Sequence, residues 1–308
     1  MRKSKDKTLF IFTGAVLVGL AASVTSQMFD ERRSGPPPQK ENIPVIEETS
    51  PNEASLLAES ASAAKPPNGL TDSQIGVSAA AAYLITSEEP LYIFRGEKQW
   101  PIASVTKLMS SLIARRLMPE TEIVTMDEKA VAAYGEVGDF KVGERFTAED
   151  LVQAMLVVSS NDAAEALVSH YGREKFIAEM NRLAAAIEMS NTVFADATGL
   201  SPGNLSTPND LNKLVQFIWS KDPEIFALTR LPTVSLIDID NGRSRKLNNI
   251  NLFAGRSNFL GGKTGQIPDS DGNLVSIFSV PDRSQPVVII VLGARDRFQE
   301  TEKILIKL

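Results

Sequence analysis

The sequence predicts an α+β protein whose early and late strands close one antiparallel sheet, with helices gathered between them into a lobe. Two observations lead there. Apolar runs of strand length occur at 76–96 and again after Leu231, while the residues between them show helical spacing of apolar positions. The order of strands, helices and strands, without strict alternation, favours helices segregated from an antiparallel sheet. No internal repeat interrupts this pattern.

Taken in order, "GVSAAAAYLIT" (76–86) and "EPLYIFRG" (89–96) read as strands joined by a turn at 87–89. A helix holding Ser104 follows, with Ile102, Val105, Leu108 and Met109 to bury it. "TAED" at Thr147 offers a hydroxyl cap and an acid three residues on, which starts a second helix. Its apolar run ends at "SSND" (159–162), and another helix continues to Gly172. In "STPNDLNKLVQFIW" (206–219), Thr207 is the cap and Pro208 takes the first helical position. "TVSLIDI" (233–239) and "RSRKLNNI" (243–250) flank Asn241-Gly242, a pair suited to a tight hairpin turn. Three more strands, "LGGKTGQI" (260–267), "NLVSIFSV" (273–280) and "PVVIIVLGA" (286–294), precede an amphipathic closing helix, "DRFQETEKILIKL" (296–308).

The N-terminal residues have a different character. Arg2, Lys3, Lys5 and Lys7 precede an uncharged run of 17 residues (8–24). Basic residues before a short apolar stretch mark residues 1–26 as a signal anchor or a signal peptide. A retained N-terminal membrane segment is favoured, because Ala21 and Ser23 make only a weak cleavage site. On either reading the rest is exported, to the outer face of the cell membrane or to the periplasm or wall. Residues 27–70 hold seven of the chain's 17 prolines and read as a disordered tether. The folded domain is then 71–308.

Composition removes several chemistries. The chain has no cysteine and a single histidine, His170, so thiolate chemistry and histidine metal clusters are excluded and no cofactor is expected. The net charge of −6 argues against a nucleic-acid partner. His170 reads as a helix-end residue, Trp100 and Trp219 as packing residues, and Gly261-Gly262 as room for close backbone approach.

Ser104 and Lys107 stand three apart, one helical turn, as a nucleophile and its base would. The same spacing at Ser4 and Lys7 shows that the pair alone proves nothing. A lysine acts as a base only when neutral, which requires burial or a nearby positive charge; Lys263 is a candidate for that charge. Two further motifs give the pair context. Ser159-Ser160-Asn161 falls at a helix end, and Lys263-Thr264-Gly265 falls in a strand. Ser-x-x-Lys, Ser-x-Asn and Lys-Thr-Gly in this order form the signature of penicillin-binding proteins and serine β-lactamases.

With "PIASVTKLM", "MLVVSSNDAAEAL", "FADATGLSPGN" and "LNNINLF", residues 75–304 resemble the low-molecular-mass penicillin-binding proteins, the serine D-alanyl-D-alanine carboxypeptidase and endopeptidase family. The resemblance implies a β-lactamase/transpeptidase-like fold and hydrolysis of the terminal D-alanine of peptidoglycan stem peptides through a penicillin-sensitive acyl-enzyme. β-Lactam antibiotics would be ligands of the same site. It implies Ser104 as nucleophile, Lys107 as base, and Ser159 and Asn161 in proton relay and substrate amide contact. Lys263, Thr264 and Gly265 would position the substrate, and the N–H groups of Ser104 and Gln266 would form the oxyanion hole. Arg297, in preference to Arg295, would hold the substrate carboxylate. The sequence departs from the family at "QIPDSDGNLV", where an aromatic residue or His, then Thr, commonly follows the Lys-Thr-Gly. Cross-link cleavage, or a catalytically weak anchored wall-binding protein, are the alternatives. A β-lactamase is disfavoured by the absence of a Glu-x-x-Leu-Asn segment.

Overall fold

The computed structural model describes residues 75–308 apart from Glu136 and Asp282. The signal anchor or signal peptide expected at 1–26 and the tether expected at 27–70 lie outside the described residues. Among the described residues no helix is long and apolar enough to cross a membrane.

Strands β1 (Ala79–Leu84) and β2 (Pro90–Phe94) form the first hairpin. A short β3 (Trp100–Pro101) leads to a 3₁₀ turn at Ala103–Thr106 and then to α1 (Lys107–Leu117). The helical lobe continues through β4 (Ile123–Thr125), α2 (Glu128–Val131), β5 (Arg145–Thr147), α3 (Ala148–Val157), α4 (Asn161–Tyr171) and α5 (Arg173–Ala186). After β6 (Leu205–Ser206) come α6 (Pro208–Lys221), α7 (Glu224–Thr229) and the hairpin β7 (Thr233–Ile237) and β8 (Ser244–Asn248). Strands β9 (Phe259–Ile267), β10 (Asp271–Phe278) and β11 (Val287–Ala294), then α8 (Arg297–Lys307), complete the chain.

The main sheet has the order β2-β1-β11-β10-β9, and every neighbouring pair is antiparallel. The two ends of the domain meet at its centre, where Ala79 stands opposite Leu292 and Leu84 opposite Val287. Strand β11 is apolar on both faces because both are covered. Val288, Ile290 and Leu292 point into the large core shared with the helical lobe; Val287, Ile289 and Val291 join a smaller core with Phe253 and Ile304 of α8. Strand β9, which carries Lys263-Thr264-Gly265, is an edge strand, so one row of its backbone groups faces out of the sheet.

The helix starts follow from their caps. Thr147 and Asp150 make a reciprocal capping box for α3, and Thr207 accepts from the Asp210 N–H above Pro208 in α6. His170 lies in the last turn of α4, 3.3 Å from Glu122, and the helix stops at Gly172. The β7–β8 connection differs from the tight turn its Asn-Gly pair suggests. The strand ladder ends at Ile237–Ser244 and the Asp238 N–H still bonds the Arg243 carbonyl at 3.0 Å, leaving a four-residue loop organised by the Asp238 carboxylate, which accepts from the Asp240 N–H at 3.0 Å and from Asn241 Nδ2 at 2.6 Å. That local network outcompetes the two-residue turn.

Candidate active site

Ser104 sits in the 3₁₀ turn that leads into α1, not within the helix itself. Three residues per turn place Ser104 directly over Lys107, a tighter register than an α-helix would give. Ile102, Val105, Leu108 and Met109 are all fully buried and fix this segment in the core. Ala103, immediately before Ser104, has φ of 49°, a left-handed conformation that costs a non-glycine residue energy. Two glycines make room for it. A Cβ at Gly199 would lie 2.1 Å from the Ala103 carbonyl oxygen, and one at Gly265 would lie 3.0 Å from the Ser104 nitrogen. Strand β9 and the 195–204 loop thus clamp the turn from two sides.

A variant follows from this contact. Gly199→Ala, at φ 83° and with no space for a methyl group, is expected to destabilise the fold by roughly 1–3 kcal/mol. Thermal denaturation against the parent protein checks it, and an unchanged midpoint would contradict the clamp.

Lys107 has no solvent exposure, and its Nζ meets three oxygens: Ser104 Oγ at 3.0 Å, Asn161 Oδ1 at 2.6 Å and the Thr198 carbonyl. The Asn161 amide is oriented by its other end, where Nδ2 donates to the Tyr134 carbonyl at 2.6 Å. That carbonyl can only accept, so Oδ1 must face Lys107. A neutral amine has two N–H donors and one lone pair. Asn161 Oδ1 and the Thr198 carbonyl can take both N–H groups, and Ser104 is the only one of the three partners able to donate to the lone pair. Burial lowers the Lys107 pKa to about 7, against an opposing pull from Asp196 and Glu165. The three oxygens can also accept the three N–H groups of an ammonium, so the site accommodates both forms of Lys107, and in the neutral one the lone pair faces the Ser104 hydroxyl.

Lys263 is also buried, with 1% of its surface exposed, and its Nζ donates to Ser159 Oγ at 2.9 Å and to the Thr264 carbonyl at 3.0 Å. Burial is the first cause of the lowered Lys107 pKa, and the repulsion between the two amines that the sequence suggests is felt at Lys263. Lys263 is pushed well below the ordinary lysine value, first by burial and then by Lys107 and Arg297. Ser159 occupies the α3–α4 junction with φ of 61°, where Ser160 caps α4 by accepting from the Ala163 N–H.

Ser104, Ser159, Asn161 and Gln266 line one cleft of about 510 Å³, walled on its apolar side by Val158, Leu200 and Ile250. Thr264 is buried in β9 and Gly265 packs on the Ser104 turn. Arg297, at the first position of α8, donates from Nη1 to Gln266 Oε1 at 2.7 Å, whereas Arg295 is exposed. A Cβ at Gly262 would lie 2.1 Å from the Val275 carbonyl oxygen, in keeping with Gly261-Gly262 as a place of close backbone approach.

Three contributors escaped sequence reasoning: the carbonyls of Thr198 and Tyr134, and Asp196. Asp196 folds the loop that presents Thr198, its carboxylate accepting from the N–H groups of Thr198 at 2.7 Å, Gly199 at 2.6 Å and Ser201 at 2.7 Å. The signal was present in "DATGLS", since an Asp followed by small and glycine residues favours such a turn.

A serine hydroxyl against a buried lysine, at the edge of an antiparallel sheet, is a site equipped for acyl transfer. Residues 68–296 match the family model described as D-alanyl-D-alanine carboxypeptidase, and the chain belongs to that family. Among curated relatives, the D-alanyl-D-alanine carboxypeptidase DacC of Escherichia coli is 30% identical over 66% of this chain and 54% of its own. A D-alanyl-D-alanine endopeptidase of Haemophilus influenzae is 34% identical over 58% of this chain and 62% of its own. The chain thus spans a little over half of these relatives' lengths. Penicillin-binding protein D2 of Listeria monocytogenes, solved in a cefotaxime-bound form, matches with a TM-score of 0.65 at 31% identity, over 78% of this chain and 98% of that one. A D-alanyl-D-alanine carboxypeptidase of Mycobacterium tuberculosis matches in fold, with a TM-score of 0.69 at 23% identity over 79% of this chain and 94% of that one.

Proposed function

We propose that this protein is a serine D-alanyl-D-alanine carboxypeptidase acting on peptidoglycan stem peptides through an acyl-enzyme on Ser104. The observation that supports it most is the Lys107 Nζ, 3.0 Å from Ser104 Oγ and flanked by two acceptors that cannot donate to it. Neutral Lys107 takes the Ser104 proton as Oγ attacks the penultimate D-alanine carbonyl carbon. The N–H groups of Ser104 and Gln266 receive the developing oxyanion. Collapse breaks the C–N bond, and the leaving amine takes the proton that Lys107 received, relayed through the Ser159 hydroxyl that Lys263 holds, which leaves Lys107 neutral again. Water, deprotonated by Lys107, then attacks the ester and restores Ser104. Asn161 contacts the substrate amide, while Thr264, Gly265 and Arg297 hold its carboxyl end. β-Lactams acylate the same serine.

Cleavage of cross-links is the second reading, favoured by the similarity to the Haemophilus endopeptidase. The two use the same groups and differ in the leaving amine. The domain at 71–308 works outside the cytoplasm, held to the membrane by 1–26 through the 27–70 tether. Incubating the full chain with purified muropeptides tests the function. Release of free D-alanine is expected; release of neither D-alanine nor monomers from cross-linked dimers would reject both readings.

A further inference from the structure

In the Arg297 guanidinium one nitrogen is buried away from the cleft and another is already engaged. An arginine grips a carboxylate best through two parallel hydrogen bonds from one edge of its plane, either Nε with Nη2 or Nη1 with Nη2. In this structure Nε is buried and without a hydrogen-bond partner, so the first edge is closed to a ligand. Nη1 donates to Gln266 Oε1 at 2.7 Å, so one of the two nitrogens of the second edge already has a partner. The contact is between elements far apart in sequence, the end of β9 and the first turn of α8, and Gln266 is exposed on the cleft side. The helix does not satisfy the guanidinium either: Asp296, its cap, is committed to the Phe298 and Gln299 N–H groups, each at 3.0 Å.

Resting on the carboxypeptidase reading, we propose that the Gln266 side chain is a specificity-determining residue that competes with the substrate's terminal carboxylate for Arg297. A peptide ending in a free carboxylate must displace the Gln266 amide oxygen to gain a two-pronged contact. A peptide whose terminal carboxyl is masked as a neutral amide makes no such demand. Gln266 thereby narrows the preference between free and masked ends, and a carboxylate in its place would hold Arg297 more firmly still.

The test measures binding on the full chain carrying Ser104→Ala, so it requires no turnover. Dissociation constants are determined by calorimetry for an N-acylated D-alanyl-D-alanine peptide and for its C-terminal amide. Adding Gln266→Ala should raise the preference for the free acid by roughly 2- to 10-fold, the weight of one net hydrogen bond. Adding Gln266→Glu should lower it below that of the glutamine protein. Opposite shifts from two substitutions at one position cannot arise from misfolding. An unchanged preference in both, or a fall with Gln266→Ala, would overturn the proposal, as would failure to bind either peptide. A protein that binds and discriminates as expected, yet whose Ser104 form releases no D-alanine, would contradict the function alone.

Discussion

Lys107→Arg is expected to lose acylation by a β-lactam by about 10²- to 10⁴-fold at neutral pH, the range that a positioned general base contributes. Lys107 is poised near pH 7 by burial, so an appreciable fraction carries a lone pair facing Ser104 Oγ. A guanidinium stays protonated at any working pH and has only donors, so no base remains. The parent protein should show the same dependence as a pH profile. Above about 7 the amine is neutral and the rate is at its plateau; below it the lysine is protonated and the rate falls about tenfold per unit. Time-resolved intact-mass measurement of adduct formation reads both. Acylation of the arginine variant within a few-fold of the parent would remove Lys107 from the mechanism.

The second large effect belongs to Asn161→Asp. The substitution keeps the shape of the side chain and sets a carboxylate where the amide oxygen lies, 2.6 Å from Lys107 Nζ. An adjacent negative charge favours the protonated lysine and should raise its pKa by about 1–3 units. Acylation at pH 7 should therefore drop about 5- to 500-fold and recover as pH is raised toward 10. The recovery distinguishes this from a damaged fold. Loss of the Nδ2 donor to the Tyr134 carbonyl also sets two acceptors together, which adds to the cost. A rate profile whose midpoint stays near 7 would mean that Asn161 does not face the reacting amine.

These contacts also show which parts of the molecule were legible in the sequence. Residue type and spacing marked Ser104, Lys107, Ser159, Asn161 and Lys263 in the sequence, and the structure brings these ordered motifs to one cleft and the buried lysines beside it. Helix starts at Thr147 and Thr207 were legible because capping is local chemistry. The union of the domain's first and last strands in one sheet followed from where strand-like runs cluster. Backbone acceptors were not legible. The carbonyls of Thr198 and Tyr134 orient the site without any side-chain signature, and only the fold brings them to Lys107 and Asn161. The 3₁₀ turn at Ser104 was hidden for a related reason: its left-handed entry at Ala103 depends on the distant Gly199 and Gly265. The loop between β7 and β8 was misjudged because Asn241-Gly242 was weighed without Asp238. The Gln266–Arg297 pairing, 31 residues apart in sequence, follows from the meeting of β9 and α8 and not from any motif.

The structure contains two Ser–Lys contacts, at 3.0 Å for Ser104 with Lys107 and 2.9 Å for Ser159 with Lys263, so the decisive question is which hydroxyl takes the acyl group. Penicillin is incubated with the full chain, the reaction is quenched in acid, and the acyl group is located by peptide mapping. The account predicts a single adduct on the peptide containing Ser104, absent from the Ser104→Ala protein. An adduct on Ser159, or one that persists in Ser104→Ala, would contradict it.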